Sequence, residues 1–276
     1  MNKIWPHFFK DRVTQFGLFL LLVLILTASL SVLVNTSNIQ NLDHRLLPSG
    51  KLNHLLGTDH FGRDILLRII VGAGISLKVG LLASTISLLL GIILGLVAGY
   101  FGKWVDTLIM RFTDIMMAFP VLLFLIAISA TFEPSINTAM IAIGAVSWPP
   151  MARLMRSQVL MLKSREFISS AEALGFSHVR ILFFHILPNC MGPIIVTFTL
   201  GISGAIMAEA SLSFLGLGVQ PPTPSWGSMI NEGKDFLRIA PGISVYPGIA
   251  IAITVLAFNL VGEGLRDALD VKLEKG

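Results

Sequence analysis

Six stretches too long and too apolar for an ordinary soluble core dominate this chain: residues 16–34, 76–99, 107–130, 137–154, 190–212 and 245–261. The first is nineteen residues long, and as a helix it would rise roughly 28 Å, close to the ~30 Å hydrocarbon thickness of a bilayer. Lipid offers no partner to backbone N–H and C=O groups, so each stretch must satisfy its own hydrogen bonds. The predicted fold class is therefore all-α, a polytopic membrane protein with six transmembrane helices. With 54% hydrophobic and 13% charged residues over 276 positions, the length suits one membrane domain with no sizeable soluble enzyme attached. The same figures exclude a disordered or collagen-like chain. The single cysteine, Cys190, excludes an intrachain disulfide and a cysteine-built metal site.

The chain carries 20 Lys and Arg against 16 Asp and Glu. In a membrane protein such a surplus marks cytoplasmic loops and calls for no nucleic-acid partner. Lys3, Lys10 and Arg12 precede the first span, which is longer than a signal-peptide core and is read as an anchor with its N-terminus inside. Threading the spans from there divides the chain into a cytoplasmic N-terminus and anchor (1–34), an external loop (35–75), a core transmembrane domain (76–262) containing a cytoplasmic segment (164–188), and a cytoplasmic tail (263–276). Arg156, Lys163, Arg165, Arg180, Arg266, Lys272 and Lys275 then lie inside, as the positive-inside tendency requires. Neither an internal repeat nor an inverted pair of interrupted helices is visible.

Ionisable and helix-breaking residues inside the spans are the next signals. Gly91, Gly95 and Gly99 recur every fourth residue and form a face on which another helix can approach closely. Pro120 should kink the third span, and Pro149 with Pro150 the fourth. Arg111 and Asp114 stand one helical turn apart and are expected to neutralise each other as an ion pair. Glu209 has no partner in its own helix, so it either faces a transport pathway or makes an interhelical hydrogen bond. The cytoplasmic segment reads as two short amphipathic helices joined at Gly175. Ser164 caps the first, Phe167, Ile168, Ala171 and Leu174 share its apolar face, and the second runs from Ser177 to Pro188. Such a knob could rest on lipid headgroups or plug into a groove of a cytoplasmic partner.

Several motif-like strings fail on their chemistry. Gly57 to Asp64 copies the spacing of a phosphate-binding loop, but Arg63 stands in place of the lysine and Asp64 puts a negative charge where phosphate would go. Ser203 sits in a Gly-x-Ser-Gly string, yet no histidine follows His185 to serve as its base, so an intramembrane hydrolase is excluded. The six histidines all fall outside the spans, which leaves no histidine-lined metal channel, and no metal site is expected.

Taken in order, the longer motifs resemble one family, the second-type permease subunit of the peptide/nickel class of bacterial ABC importers. The likeness covers nearly the whole chain. It is carried by Leu56-Gly-Thr-Asp-His-Phe-Gly-Arg-Asp-Ile-Leu-Leu-Arg68 with Gly72-Ala-Gly-Ile-Ser-Leu77, by Met110-Arg-Phe-Thr-Asp-Ile-Met-Met-Ala-Phe-Pro120, by Glu209-Ala-Ser-Leu-Ser-Phe-Leu-Gly-Leu-Gly218 with Pro221-Pro-Thr-Pro-Ser-Trp-Gly227, and by Phe258-Asn-Leu-Val-Gly-Glu-Gly-Leu-Arg-Asp267. The family's cytoplasmic loop reads Glu-Ala-Ala, three residues, Gly, and ends His-x-Leu-Pro. Here Gly175, His185 and Pro188 match, while Ser169, Ser170 and Ala171 replace Glu-Ala-Ala, so Glu166 or Glu172 would have to supply the charge.

The resemblance implies a type I ABC importer transmembrane domain that is not itself an enzyme. Its implied partners are a homologous permease subunit, two ATPase subunits that bind ATP and magnesium, an extracytoplasmic solute-binding protein, and the lipid of the bacterial inner membrane. This chain would bind no cofactor, and its cargo would be dipeptides, oligopeptides or nickel and its chelates. A stand-alone secondary transporter or channel is the alternative, though it would call for more buried charges than this chain offers.

Overall fold

The computed structural model describes Phe8, residues 11–34 and residues 40–273. Lys3, Lys10 and Lys275 lie outside the described residues. Among the described residues the regular structure is helical, with only isolated bridges between Lys51 and His54 and between Thr58 and Asp64. Four helices are long and apolar enough to cross a membrane: α1 (Arg12–Leu30), α2 (Ile65–Phe101), α8 (His178–Phe214) and α10 (Gly242–Leu273). A fifth span is broken in two, α3 (Lys103–Ala118) and α4 (Val121–Thr131). The expected fourth span is divided into α5 (Ile136–Val146) and α6 (Pro149–Lys163), of 11 and 15 residues, neither of which is among the helices long and apolar enough to cross alone. Two short helices, α7 (Glu166–Ala173) and α9 (Trp226–Gly233), lie at the ends of the bundle.

Helix α2 organises the rest. Its 37 residues rise roughly 55 Å, far more than the ~30 Å hydrocarbon layer, and both of its ends stay packed, with Ile65, Arg68 and Tyr100 buried. It starts eleven residues before the expected span because Asp64 caps it, accepting a hydrogen bond from the Leu67 N–H at 2.9 Å. The expected glycine face is present and packs on α6. A Cβ at Gly91 would lie 2.5 Å from Met151 Cβ, one at Gly95 2.5 Å from Met155 Cβ, and one at Gly99 2.7 Å from Val159 Cβ. Gly144 brings α5 onto the same helix beside Ile86, and Gly80 receives Ile206 of α8. Helix α1 instead lies on the outside against α10, with Gly17 fitted to Leu260 and Val261, and exposes Phe16, Phe19 and Leu22.

Both proline expectations change in kind. Pro120 does more than kink the third span: α3 and α4 meet at 88°, because Phe119 turns to extended backbone ahead of the proline ring. Pro149 and Pro150 do not bend a helix but begin one, at the first positions of α6. A helix start leaves four N–H groups without partners, and two prolines there remove two of those donors. That makes a helix start tolerable deep in the bundle.

Two further readings are corrected. Asp114 pairs with Arg153 of α6 at 2.6 Å, not with Arg111, which has no ion pair among the described residues. The interhelical partner wins because α6 lies directly against α3, as the two-pronged contact of Arg156 with Asp106 at 2.5 Å also shows. The chain also does not end a helix at Pro188. A widened turn over residues 181–186, with the Leu187 N–H bonded to Leu182 O, absorbs the proline, and α8 runs on to Phe214. Asn189 Nδ2 donates to the His185 carbonyl at 2.6 Å beside that proline.

Candidate functional site

The expected knob, residues 164–188, is present at one end of the bundle. Arg165, not Ser164, stands at the N-cap of α7, and the Ser164 hydroxyl instead donates to Met161 O at 3.0 Å. Gly175 ends α7 as expected. Its φ of +75° suits a residue without a side chain, and the Phe176 N–H reaches Ala171 O while the Gly175 N–H reaches Glu172 O, the paired bonds of a Schellman stop. Ile168 and Ala171 turn inward onto Met155 and Val159 of α6 and Ile181 and Ile186 of α8.

Five other apolar residues of the knob stay outside that core, while Leu182 joins it. Phe167 is exposed, Leu174 is 73% exposed and Phe184 74%, and Val179 and Phe183 are exposed with them. Burial of such side chains is worth ~1.5–3 kcal/mol each, so this is surface that a partner could cover. Ser169 and Ser170 face outward, and so does Glu166 in the first turn of α7. Glu172 is engaged instead with α2: Tyr100 Oη donates to it at 3.5 Å and lies 2.9 Å from His178 Nδ1. Lys163 closes the same joint, donating to the Tyr100 carbonyl at 2.6 Å. The buried Tyr100 thus fastens both halves of the knob to the end of α2. Its role was not legible in sequence, because its partners lie more than 60 residues away. His185 lies against the Phe176 ring, 5.6 Å between centroids.

At the opposite end, the family-like string Gly57 to Arg68 folds into a clamp. Asp59 accepts from the Phe61 and Arg63 amides at 2.8 and 3.0 Å and from Arg63 Nε at 2.6 Å, and it also pairs with Arg68. Glu232 of α9 accepts from Arg68 at 2.8 Å and from Arg63. Two carboxylates and two guanidiniums therefore tie the loop to α2 and α9. Trp226 completes the joint, its Nε1–H donating to Ile69 O at 3.1 Å while its ring covers Gly72. Burial alone would raise the Asp59 pKa, but the Arg68 charge, the Arg63 amide and the Arg63 charge outweigh it and hold the carboxyl below its usual range. His60 stacks on Phe236, and burial pushes its pKa down despite the neighbouring Asp59 and Glu232. Asp59, His60 and Glu232 could in principle hold a cation. Arg63 and Arg68 already occupy both carboxylates with positive charge, so the group is an ion-pair network.

Glu209 is fully buried between helices, accepting from Ser213 Oγ at 2.6 Å and from Ser76 of α2 at 3.4 Å. Of its two readings this geometry matches the interhelical hydrogen bond, and Glu209 does not line the cavity of about 280 Å³ that opens between α2, α5, α6 and α8.

Comparison with known proteins gives these two ends a context. Residues 91–275 match the family model for the binding-protein-dependent transport system inner membrane component. The chain is 46% identical to the dipeptide transport system permease protein DppC of Alkalihalophilus pseudofirmus, over 96% of this chain and 88% of that one. It is 42% identical to the glutathione transport system permease protein GsiD of Pectobacterium atrosepticum, over 99% and 91%. Among solved structures, the MetNI methionine ABC transporter in inward-facing conformations superposes with a TM-score of 0.59 at 14% identity, covering 74% of this chain and 97% of that one. The fold is thus that of an ABC importer's membrane-spanning subunit, which works in the inner membrane with ATPase and solute-binding partners. The chain belongs to the family of binding-protein-dependent transport system inner membrane components, as a permease subunit of an ABC importer.

Proposed function

We propose that this permease carries peptides, that its knob is the handle through which a separate ATPase moves it, and that its clamp end faces the solute-binding protein. The relatives described above are named for a dipeptide and for glutathione, so a peptide is the cargo favoured over nickel. The chain would pair with a homologous permease subunit, the broken α3–α4 span supplying apolar surface such as Leu108, Phe112 and Ile115 for that contact. Two ATPase subunits would bind ATP and magnesium, and this chain would do no catalysis of its own. The basic residues Lys163, Arg165 and Arg180 in and next to the knob support placing it in the cytoplasm, with both termini on the same side.

One observation carries the reading: the knob leaves Phe167, Leu174, Val179, Phe183 and Phe184 exposed while its inner face is fully packed. A groove in the ATPase would cover those side chains, and Glu166 with Ser169 and Ser170 would meet its polar rim. Helix α7 would then be pushed when the ATPases close. Leu174→Asp leaves the buried face intact, and Gly175→Asp meets no atom within 4 Å and must only tolerate a positive φ. Both variants are expected to assemble in membranes yet lose ATPase co-purification or uncouple hydrolysis from uptake by about ten-fold or more, one Leu-sized contact being worth ~1.5–3 kcal/mol. Normal coupling in both would remove the knob from the mechanism.

A further inference from the structure

The cavity of about 280 Å³ lies where the bundle is least regular. Ser84 and Ser87 of α2, Ser147 at the break between α5 and α6, and Thr197 of α8 contribute hydroxyls, and Ile143 and Phe198 are among its apolar walls. None of the residues lining it carries a charge. Pro150 and Met151, in the first turn of α6, also border it. Interrupted helices deep in a membrane bundle are tolerated where they line a cavity.

Ser84 is the informative residue. It is only 5% exposed, and its Oγ has no hydrogen-bond partner. Hydroxyls in membrane helices commonly bond back to their own helix, as Thr85 does to Leu81 O at 2.7 Å and Thr199 to Ile195 O at 2.9 Å. Ser84 does not, and its Oγ lies 3.9 Å from the position a Cβ on Gly201 would take. A buried hydroxyl left unpaired costs ~1–3 kcal/mol, which a bound polar group would recover. Gly201 borders the cavity and is itself exposed, so the space reaches the surface of the chain along α8.

We propose that this cavity is a subsite for a passing peptide, taking one apolar side chain against Ile143 and Phe198 while a backbone amide group hydrogen-bonds Ser84. The inference rests on the peptide reading above and adds the part of the peptide that is recognised. The volume sits at the lower edge of the ~300–1,000 Å³ found for small-molecule sites, enough for one side chain and its amide. Charged termini are excluded, because nothing in the lining could pair them and an unpaired buried charge is costly. They stay outside the cavity, in water. A lipid acyl chain would fill the apolar part but leave Ser84 unpaired, so a peptide amide is the better occupant.

The test uses the complete transporter, with its partner permease, ATPases and binding protein, in liposomes supplied with labelled leucyl-leucine or glycyl-glycine. Gly201→Leu, whose Cβ would meet only Ser84 Oγ at 3.9 Å, fills part of the cavity without a backbone clash and should lower the ratio of leucyl-leucine to glycyl-glycine uptake by about ten-fold, in line with ~1–3 kcal/mol for a pocket methylene. Ser84→Ala should raise KM for both peptides about five-fold with the maximal rate little changed, the loss expected for one hydrogen bond. Equal loss of both peptides in Gly201→Leu, a fall in maximal rate without a change in KM in Ser84→Ala, or wild-type behaviour in both variants would overturn the subsite. So would a co-purifying phospholipid that Gly201→Leu displaces. A wild-type complex that moves neither peptide would instead overturn the peptide reading itself, and that result is visible before any variant is made.

Discussion

The clamp and the knob sit at opposite ends of the same 37-residue helix and are built from opposite materials. The clamp joins loop, α2 and α9 through buried charges, with Asp59 and Arg68 almost wholly removed from solvent. The knob is fixed by one tyrosine's hydrogen bonds and a small apolar patch, and it leaves most of its large side chains uncovered. Buried ion pairs contribute little net stability but are costly to break one-sidedly, so they hold a single geometry. Hydrogen bonds of ~1 kcal/mol yield and reform. If an ATPase grips the knob as proposed, the clamp is the end that keeps its shape and the knob the end that is moved.

The largest expected effect tests the rigid end. Arg68→Met keeps the stem's volume but leaves Asp59 and Glu232 with Arg63 alone. A loss of about 3–5 kcal/mol is expected, seen as faster proteolysis of residues 40–64 and a lower denaturation midpoint. A cost below about 1 kcal/mol would mean that the clamp is no firmer than the knob. Next comes Tyr100→Phe, which removes the hydroxyl between Glu172 and His178 and keeps the ring. The expected cost is about 1 kcal/mol, with folding intact and less uptake per ATP hydrolysed. Equal coupling in that variant would show that the knob is held without the hydroxyl, by apolar packing and the Lys163 bond to the Tyr100 carbonyl.

Much of this is legible in the sequence, and the parts that are not share a cause. The apolar spans, the Gly91–Gly95–Gly99 face and the Gly175 stop depend on local period or on one residue's backbone freedom, both of which a sequence displays. In the sequence Asp114 points to Arg111, one helical turn away, whereas its partner in the fold is Arg153, 39 residues on. Phe167 and Leu174 look like core by period, but the core has room only for Ile168 and Ala171. Pro120 and Pro149 announce an interruption without saying whether a helix bends, breaks or begins. Ser84 carries no motif at all, and only the packing around it shows that its hydroxyl is unpaired.

The smallest effect separates the two ends by pH. At the clamp, the charges of Asp59 and Glu232 offset those of Arg63 and Arg68, and His60 packs beside them with its Nδ1 buried and unbonded. Its folded pKa lies below the unfolded value of about 6.5, so above that pH folding costs the ring no proton. As pH falls from about 6.5 through the folded pKa, the unfolded loop takes up protons that the folded loop resists, and stability drops. Asp59 is depressed as well and stays ionised through this window, losing its contribution only below the ordinary carboxylate range of about 4. Proteolysis of residues 40–64 should therefore speed up modestly between about pH 7 and pH 5, and His60→Gln should flatten the response. A slope that survives His60→Gln would remove the ring as its source, and acid would then no longer set the clamp apart from the knob.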